Sequence, residues 1–97
     1  MKARKLFVVV AYDIAKTKNR NKVAELLSQY GKRMNLSVFE CMISVSQLKK
    51  LKTDVHKYIN PQKDQVIYYM LCMDCFSKID YDPQEKGMPG STVTVVW

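Results

Sequence analysis

Several features that define common protein classes are scarce or absent in this chain. No apolar run approaches the roughly 18 residues of a membrane span, and the N-terminal apolar run has only the length of a strand. That run follows Lys2, Arg4 and Lys5 and leads into Asp13 rather than into a small-residue cleavage site. We therefore expect neither a membrane association nor a signal peptide. The three cysteines are an odd number, which disfavours a secreted disulfide framework and favours the reducing cytoplasm.

Acidic residues are also scarce over the first part of the chain. Residues 1–60 contain thirteen Lys or Arg and four Asp or Glu, whereas residues 61–97 contain three and five, within a net charge of +7. A basic surface attracts polyanions because neutralised phosphates release their counterions. The asymmetry favours a polyanionic partner for the basic part, and the alternative is a solvated basic face without a partner.

The hydrophobic periodicity predicts an α+β protein. The element order β-α-β-β-α-β is the ferredoxin-like split arrangement, and a further C-terminal strand follows it. We divide the chain into a ferredoxin-like domain, residues 1–72, and a C-terminal extension, residues 73–97. The predicted strands cover 5–13, parts of 33–43 on either side of a turn near Asn35, 65–72 and 91–97, and the predicted helices cover about 18–30 and Ser44 to about 59.

Both predicted helices carry recognisable termini. Gly31 stands where a left-handed cap would end the first helix, and Ser44 with Gln47 fits a capping box at the start of the second. Arg20 and Lys22 fall off the apolar stripe of the first helix. The apolar stripes comprise Val23, Leu26, Leu27 and Tyr30 in the first helix, and Leu48, Leu51, Val55 and Tyr58 or Ile59 in the second.

Asp13 is the residue from which a functional hypothesis starts. It ends the first apolar strand, and a carboxylate is costly there unless a partner or a metal offsets its desolvation. Strand ends that lead into loops are also where a rigid scaffold presents chemistry. The alternative is that Asp13 accepts hydrogen bonds from the following loop or pairs with Arg20.

Four segments, in order and at matching spacing, resemble one family. With the chain length and topology, residues 5–72 resemble the CRISPR-associated protein 2 family, the small dimeric partner of the CRISPR spacer integrase. The four segments are Tyr12-Asp13-Ile14, residues 20–27 from Arg20 to Leu27, Tyr30-Gly31-Lys32-Arg33, and residues 37–41 from Ser37 to Cys41.

The resemblance implies a homodimer of ferredoxin-like domains, in which the terminal strand of one chain joins the sheet of the other chain or packs at the dimer interface. It also implies a role in antiviral defence, in which the dimer takes part in acquiring new spacers, bridges the integrase and binds double-stranded DNA. The family is further described as metal-dependent endonucleases acting on RNA or duplex DNA, an activity that not all members share.

Carried over by position, Asp13 would be the catalytic metal ligand. Two copies of Asp13 across the twofold axis would share one Mg²⁺ per dimer, with waters completing the coordination shell. Such a site would hydrolyse phosphodiesters without an imidazole. This fits the sequence, because the single histidine, His56, falls in the second helix, away from these motifs.

The same resemblance implies roles for five further residues. Arg20, Lys22 and Arg33 would bind nucleic acid. Lys22 stands where the family often has arginine, so it keeps the charge but loses bidentate phosphate geometry. Tyr12 and Phe39 would lie at the dimer interface or cleft, although packing is the commoner role for such aromatic residues.

Competing functions remain open from the sequence. The protein could be a duplex-binding scaffold or a single-strand RNA-binding module. It could also be a metal-dependent nuclease, a class to which the toxin-like ribonucleases of this fold belong. The sequence lacks the aromatic strand motif on which such an RNA-binding module depends.

Cys72 and Cys75 supply half of a zinc site with nothing nearby to complete it. The acidic run over 80–85 is a solvated loop or a dock for a basic protein.

Overall fold

Strands and helices follow one another in the predicted order β-α-β-β-α-β. A computed structural model describes residues 5–71, 77–80 and 82. The elements are β1 (Lys5–Asp13), α1 (Thr17–Ser28), β2 (Gly31–Asn35), β3 (Val38–Ser44), α2 (Val45–His56) and β4 (Gln65–Leu71). The predicted α+β, ferredoxin-like class is confirmed.

The strands form one antiparallel sheet in the order β2-β3-β1-β4. β1 is central and pairs on both sides, so that Val10 lies opposite Phe39 of β3 and opposite Tyr68 of β4. Its nearly continuous apolar sequence fits this central position, because Phe7, Val8, Val10 and Tyr12 are buried and Val9 and Ala11 are partly buried before the strand ends at exposed Asp13. No helix in the described ranges is long and apolar enough to cross a membrane.

The core lies between one face of the sheet and the two helices. Side chains alternate along β1, so Val8, Val10 and Tyr12 face the helices. They pack with Phe39, Cys41 and Ile43 of β3, Val23 and Leu27 of α1, and Leu48, Leu51 and Val55 of α2. The predicted apolar stripes therefore form the core.

The capping box at the start of α2 is present. The backbone N–H of Gln47 donates to Ser44 Oγ at 3.2 Å, and the backbone N–H of Ser44 donates to Gln47 Oε1 at 2.8 Å. α1 has no such arrangement, because its N-cap residue is Lys16 and makes no side-chain capping hydrogen bond. Both helices end earlier than predicted, at Ser28 and His56.

The predicted role of Gly31 was wrong. Gly31 does not adopt a left-handed conformation after α1; it is the first residue of β2 and lies opposite Cys41 of β3. A Cβ there would collide with the carbonyl oxygen of Glu40 and lie 2.6 Å from Cys41 Sγ. Glycine is required at this position by close strand packing and not by a positive φ angle.

The remaining predictions for the C-terminal extension lie outside the described residues. These are the strand over 91–97, the pair Cys72 and Cys75, and most of the acidic run over 80–85. The division of the chain at residue 72 stays a prediction.

Candidate nucleic-acid interface

Three connecting segments meet at the end of the sheet where β1 finishes. The β2–β3 turn is joined to β1 by the backbone hydrogen bond from Tyr12 N–H to the Ser37 carbonyl at 3.0 Å. On the other side, Asp13 lies opposite Gln65, the first residue of β4. The β1–α1 loop that begins after Asp13 therefore lies between the β2–β3 turn and the α2–β4 loop.

Asp13 is exposed at this end of the sheet. Within the described ranges its carboxylate makes neither an ion pair nor a side-chain hydrogen bond. The alternative in which Asp13 pairs with Arg20 was wrong. The Arg20 guanidinium instead donates from Nη1 to the Ile14 carbonyl at 3.1 Å and from Nη2 to Thr17 Oγ1 at 3.0 Å.

The donor set of one chain is small for a metal. Among the described residues no three His, Cys, Asp or Glu side chains come together as a metal-binding group. Mg²⁺ is commonly held by only one or two carboxylates, with waters filling the other positions. A carboxylate that is exposed and has no partner among the described residues would fit this requirement if a second copy of the chain supplied a second Asp13.

Arg33 of β2 is fixed against the β2–β3 turn. Its Nη2 donates to the Leu36 carbonyl at 2.6 Å, and its Nε donates to the Asn35 carbonyl at 3.3 Å. The guanidinium carbon lies 5.6 Å from the centroid of the Phe39 ring, which adds a cation–π interaction. Arg33 is therefore held in one orientation while its side chain stays exposed.

Tyr12 and Phe39 form the apolar support beneath this turn. They are 5% and 1% exposed, their ring centroids are 6.3 Å apart, and the Tyr12 hydroxyl donates to the Leu36 carbonyl at 2.9 Å. The expectation that both aromatic residues pack in the core is confirmed. Their role at a dimer interface or cleft stays a prediction.

The fold brings Arg20 and Arg33 to the same groove, although they are thirteen positions apart in the sequence. The groove has a volume of about 430 Å³ and is lined by Arg20, Asn21, Arg33, Leu36 and Ser37. Lys22, the third predicted nucleic-acid-binding residue, is exposed but does not line it. Two residues along a helix turn the side chain by about 200°, which places Lys22 on the opposite flank of α1.

Two features of this end were missed from the sequence. Leu36, at the tip of the β2–β3 turn, is 78% exposed beside the arginines. Asp64 accepts hydrogen bonds from the backbone N–H groups of Asn60 at 2.8 Å and Ala15 at 3.0 Å. These two bonds, in that order, lower the pKa of Asp64 below its ordinary value. The turn-forming sequence from Asn60 to Asp64 favours the Asn60 bond, whereas the Ala15 bond depends on the tertiary fold.

The fold and this site define a class of protein. It is a small ferredoxin-like domain with an exposed carboxylate at the end of its first strand and two oriented arginines at the same end of the sheet. The chain belongs to the CRISPR associated protein Cas2 family, whose model matches residues 6–79.

Individual relatives agree with this assignment. Two CRISPR-associated endoribonucleases Cas2 of Synechocystis sp. are similar to the chain. One is 37% identical, and the match covers 91% of this chain and 99% of the relative. The other is 34% identical, and the match covers 88% of this chain and 95% of the relative. The structure of Streptococcus pyogenes Cas2 at pH 6.5 is 26% identical, with a TM-score of 0.70, and the match covers 77% of this chain and 96% of that one. A chain of the partial Cas6-RT-Cas1–Cas2 complex shares the fold at 24% identity, with a TM-score of 0.70 over 81% of this chain and 92% of that one.

Proposed function

We propose that this protein takes part in CRISPR adaptation as a homodimer that binds duplex DNA and bridges the integrase during spacer acquisition. Membership of the Cas2 family supports the adaptation role. The integrase partner is proposed from the same membership; the Cas1–Cas2 complex named above is a neighbour in fold only.

The observation that carries the DNA-binding proposal is the groove between Arg20 and Arg33. Each guanidinium has five N–H donors and spends two on the protein's own oxygens, which leaves three for phosphate oxygens. No carboxylate in the described part of the chain forms an ion pair with either arginine. Two oriented, uncompensated guanidinium groups match the fork geometry of phosphate recognition. They bind backbone rather than bases, so duplex sequence would matter little.

A Mg²⁺-dependent nuclease activity at Asp13 is the second part of the proposal. The similar proteins are named endoribonuclease or endonuclease, and the exposed carboxylate of Asp13 lies at the same end of the sheet as the arginines. Asp13 from each protomer would hold one shared Mg²⁺, which when bound would polarise a phosphate and lower the pKa of a coordinated water. The arginines would stabilise the charge that develops on the phosphate.

The homodimer is proposed from the sheet face opposite the helices. Along β1 and β4 this face presents Val9, Ala11, Ile67 and Tyr69, because their neighbours in sequence face the core. Tyr69 is 52% exposed, and Val9 is its partner across the strands. A sheet face of this composition gains free energy when a second copy covers it.

DNA binding is tested with an Arg20→Gln, Arg33→Gln double variant. We expect weaker binding to a duplex, and a plot of log affinity against log salt that is shallower by about two units, because each lost phosphate contact reduces the slope by about 0.9. Fluorescence anisotropy across a salt series measures both quantities. The matched control is Lys49→Gln, Lys50→Gln, which removes the same charge from the exposed side of α2. Equal losses in the two variants would mean that net charge alone binds DNA and that the groove has no role.

The nuclease part is tested separately with Asp13→Asn. This variant keeps the side-chain size and should abolish any Mg²⁺-dependent cleavage of RNA or duplex DNA by the purified protein, while spacer acquisition in cells continues. Cleavage at the parent rate, or a parent protein that cuts neither substrate, would overturn the nuclease proposal. Loss of acquisition in a folded, dimeric Asp13→Asn protein would show that the bridging role depends on this carboxylate.

A further inference from the structure

A second polar groove lies on the other side of Asp13 from the arginines. It has a volume of about 420 Å³ and runs between the β1–α1 loop and the α2–β4 loop. Its lining residues are Ala15, Lys16, Asn19, Asn60, Lys63 and Asp64. Two lysines and two amide side chains make this a groove for a polar, anionic ligand rather than an apolar one.

The walls of this groove are tied together by one carboxylate. Asp64 Oδ1 accepts the backbone N–H of Ala15 at 3.0 Å, and Asp64 Oδ2 accepts that of Asn60 at 2.8 Å. The backbone N–H of Asp64 returns a hydrogen bond to the Asn60 carbonyl at 2.8 Å. The two loops are thus held at a fixed separation before any ligand binds, which lowers the entropy cost of binding.

Two lysines and one carboxylate, ionised at neutral pH, give the groove a small positive charge. The Asp64 carboxylate is directed at backbone donors within the protein, and neither Lys16 nor Lys63 forms an ion pair with a described carboxylate. Both ammonium groups can therefore reach a ligand, although Lys63 is close enough to Asp64 to help lower the pKa of that carboxyl. The groove has a positive excess, as phosphate binding requires.

The order of strands places the two grooves on either side of Asp13. Arg33 belongs to β2, Asp13 ends the central strand β1, and Lys63 and Asp64 immediately precede β4. From β2 to β4 the sheet spans three strand spacings, about 14 Å. A nucleic-acid strand laid across this end of the sheet would therefore meet both grooves and Asp13.

We propose that the groove of Lys16 and Lys63 is a second phosphate-contacting surface, so that one nucleic-acid backbone contacts the arginines, passes Asp13 and continues between the two lysines. This inference rests on the proposed nucleic-acid binding and extends it to a defined path. The partner is the sugar-phosphate backbone of duplex DNA. An acidic protein surface is the competing occupant, which the experiment separates.

The test compares two double variants of the full-length protein that have the same net charge. Lys16→Ala, Lys63→Ala should weaken duplex binding by about tenfold or more and reduce the salt slope by about two units. Lys49→Ala, Lys50→Ala should change the slope much less, because these lysines lie on α2 outside both grooves. Lys16→Arg, Lys63→Arg keeps the charge and should retain the parent slope. Binding is measured by fluorescence anisotropy between about 50 and 200 mM salt, and circular dichroism checks that each variant folds.

The outcomes separate this inference from the function on which it rests. If Arg20→Gln, Arg33→Gln weakens binding but Lys16→Ala, Lys63→Ala matches the parent protein, the second surface is wrong and DNA binding stands. If the Lys16 and Lys63 variant loses integrase association but keeps the parent salt slope for DNA, the groove binds protein and the inference is also wrong. If the parent protein binds no duplex at low salt, both proposals are wrong.

Discussion

Arg20 and Arg33 each make structural hydrogen bonds while their side chains stay exposed. Arg20 donates to the carbonyl of Ile14, the residue after Asp13, and Arg33 donates to the carbonyls of the β2–β3 turn. Carbonyl acceptors orient a guanidinium without cancelling its charge, as a carboxylate partner would. A lysine could not reproduce this arrangement, because it lacks the planar fork that serves two directions at once.

Cys41 is a packed core residue with an unreactive thiol. Burial, and to a smaller extent the charge of Glu40, raises the pKa of Cys41 to about 11. At neutral pH the thiol is therefore protonated, and only the thiolate is a nucleophile or a metal ligand. Cys41 is thus an apolar side chain of β3 in the core and takes no part in the chemistry proposed for Asp13.

We predict that Cys41 resists alkylation in the folded protein at about pH 8 and reacts once the protein is unfolded. Iodoacetamide labelling with and without guanidinium chloride, followed by mass spectrometry, measures this. Trypsin separates Cys41, in the peptide 34–49, from the other two cysteines. Rapid labelling of Cys41 without denaturant would contradict its placement in the core.

The start of α2 is stabilised by side chains that lie in its own sequence. Ser44 and Gln47 satisfy two backbone N–H groups that have no partner within the helix. The cap also fixes the point at which the chain leaves β3, because Ser44 is both the last residue of that strand and the N-cap of the helix.

Replacing Ser44 with alanine should lower the free energy of unfolding by about 1 kcal/mol, the usual loss for an N-cap side chain. Urea denaturation followed by circular dichroism measures the change. Thr53→Ala is the matched control in the same helix, since the Thr53 hydroxyl only donates to the Lys49 carbonyl one turn earlier and caps nothing. A loss as large for Thr53 as for Ser44 would show that the capping hydrogen bonds are not the cause.

The two loops beside Asp13 depend on the ionised form of Asp64. Its pKa is below the ordinary 3.8 because the carboxylate accepts backbone N–H groups in the folded protein. A group whose pKa is lowered by folding stabilises the protein above its unfolded pKa, and this contribution is lost as the pH falls through the folded value.

We therefore predict that Asp64→Asn lowers the melting temperature at neutral pH, and that its difference from the parent protein shrinks as the pH falls below 3.8. Scanning calorimetry over this range gives both curves. Asp54→Asn is a control for removal of one negative charge; Asp54 pairs with exposed Lys57 at 3.7 Å, a surface interaction of small value. A constant difference between the parent and Asp64→Asn at every pH would contradict a role for the carboxylate charge.

The molecule has two unlike sheet faces, and this bears on its assembly. The helices cover the face that contains Val8, Val10 and Tyr12, whereas Val9 and Tyr69 lie on the other face. Two protomers that join through this second face would each add an Asp13, and the Mg²⁺ proposal requires that pair.

Tyr69→Lys should weaken the homodimer, because dimerisation would then bury an unpaired ammonium group. Sedimentation equilibrium over a wide range of protein concentration measures the dissociation constant. Val45→Lys is the control, since Val45 is similarly exposed, 50% against 52%, but lies on the first turn of α2. A parent protein that is monomeric at every concentration, or equal weakening by both variants, would overturn assembly through this face.

Much of this architecture follows from local rules that the chain itself carries. The alternation along β1, the stripes of α1 and α2, and the capping box of Ser44 are short-range patterns, so the element order and most of the core could be predicted. The position of Asp13 at a strand end could be predicted for the same reason, but the expected desolvation cost was wrong, because the folded chain leaves this residue exposed. The surroundings of Asp13 could not be predicted. Arg20 is close in sequence and could have paired with it, but its guanidinium donates instead to oxygens of Ile14 and Thr17.

Long-range pairing determined the rest. The order β2-β3-β1-β4 brings Arg33 beside Arg20, and the α2–β4 loop brings Lys63 and Asp64 beside Lys16. The close packing at Gly31 likewise depends on its register with β3. Local periodicity specifies which face of an element is apolar. Which strands and helices become neighbours depends on the free energy of packing the whole sheet. The two grooves beside Asp13 therefore form only in the folded chain.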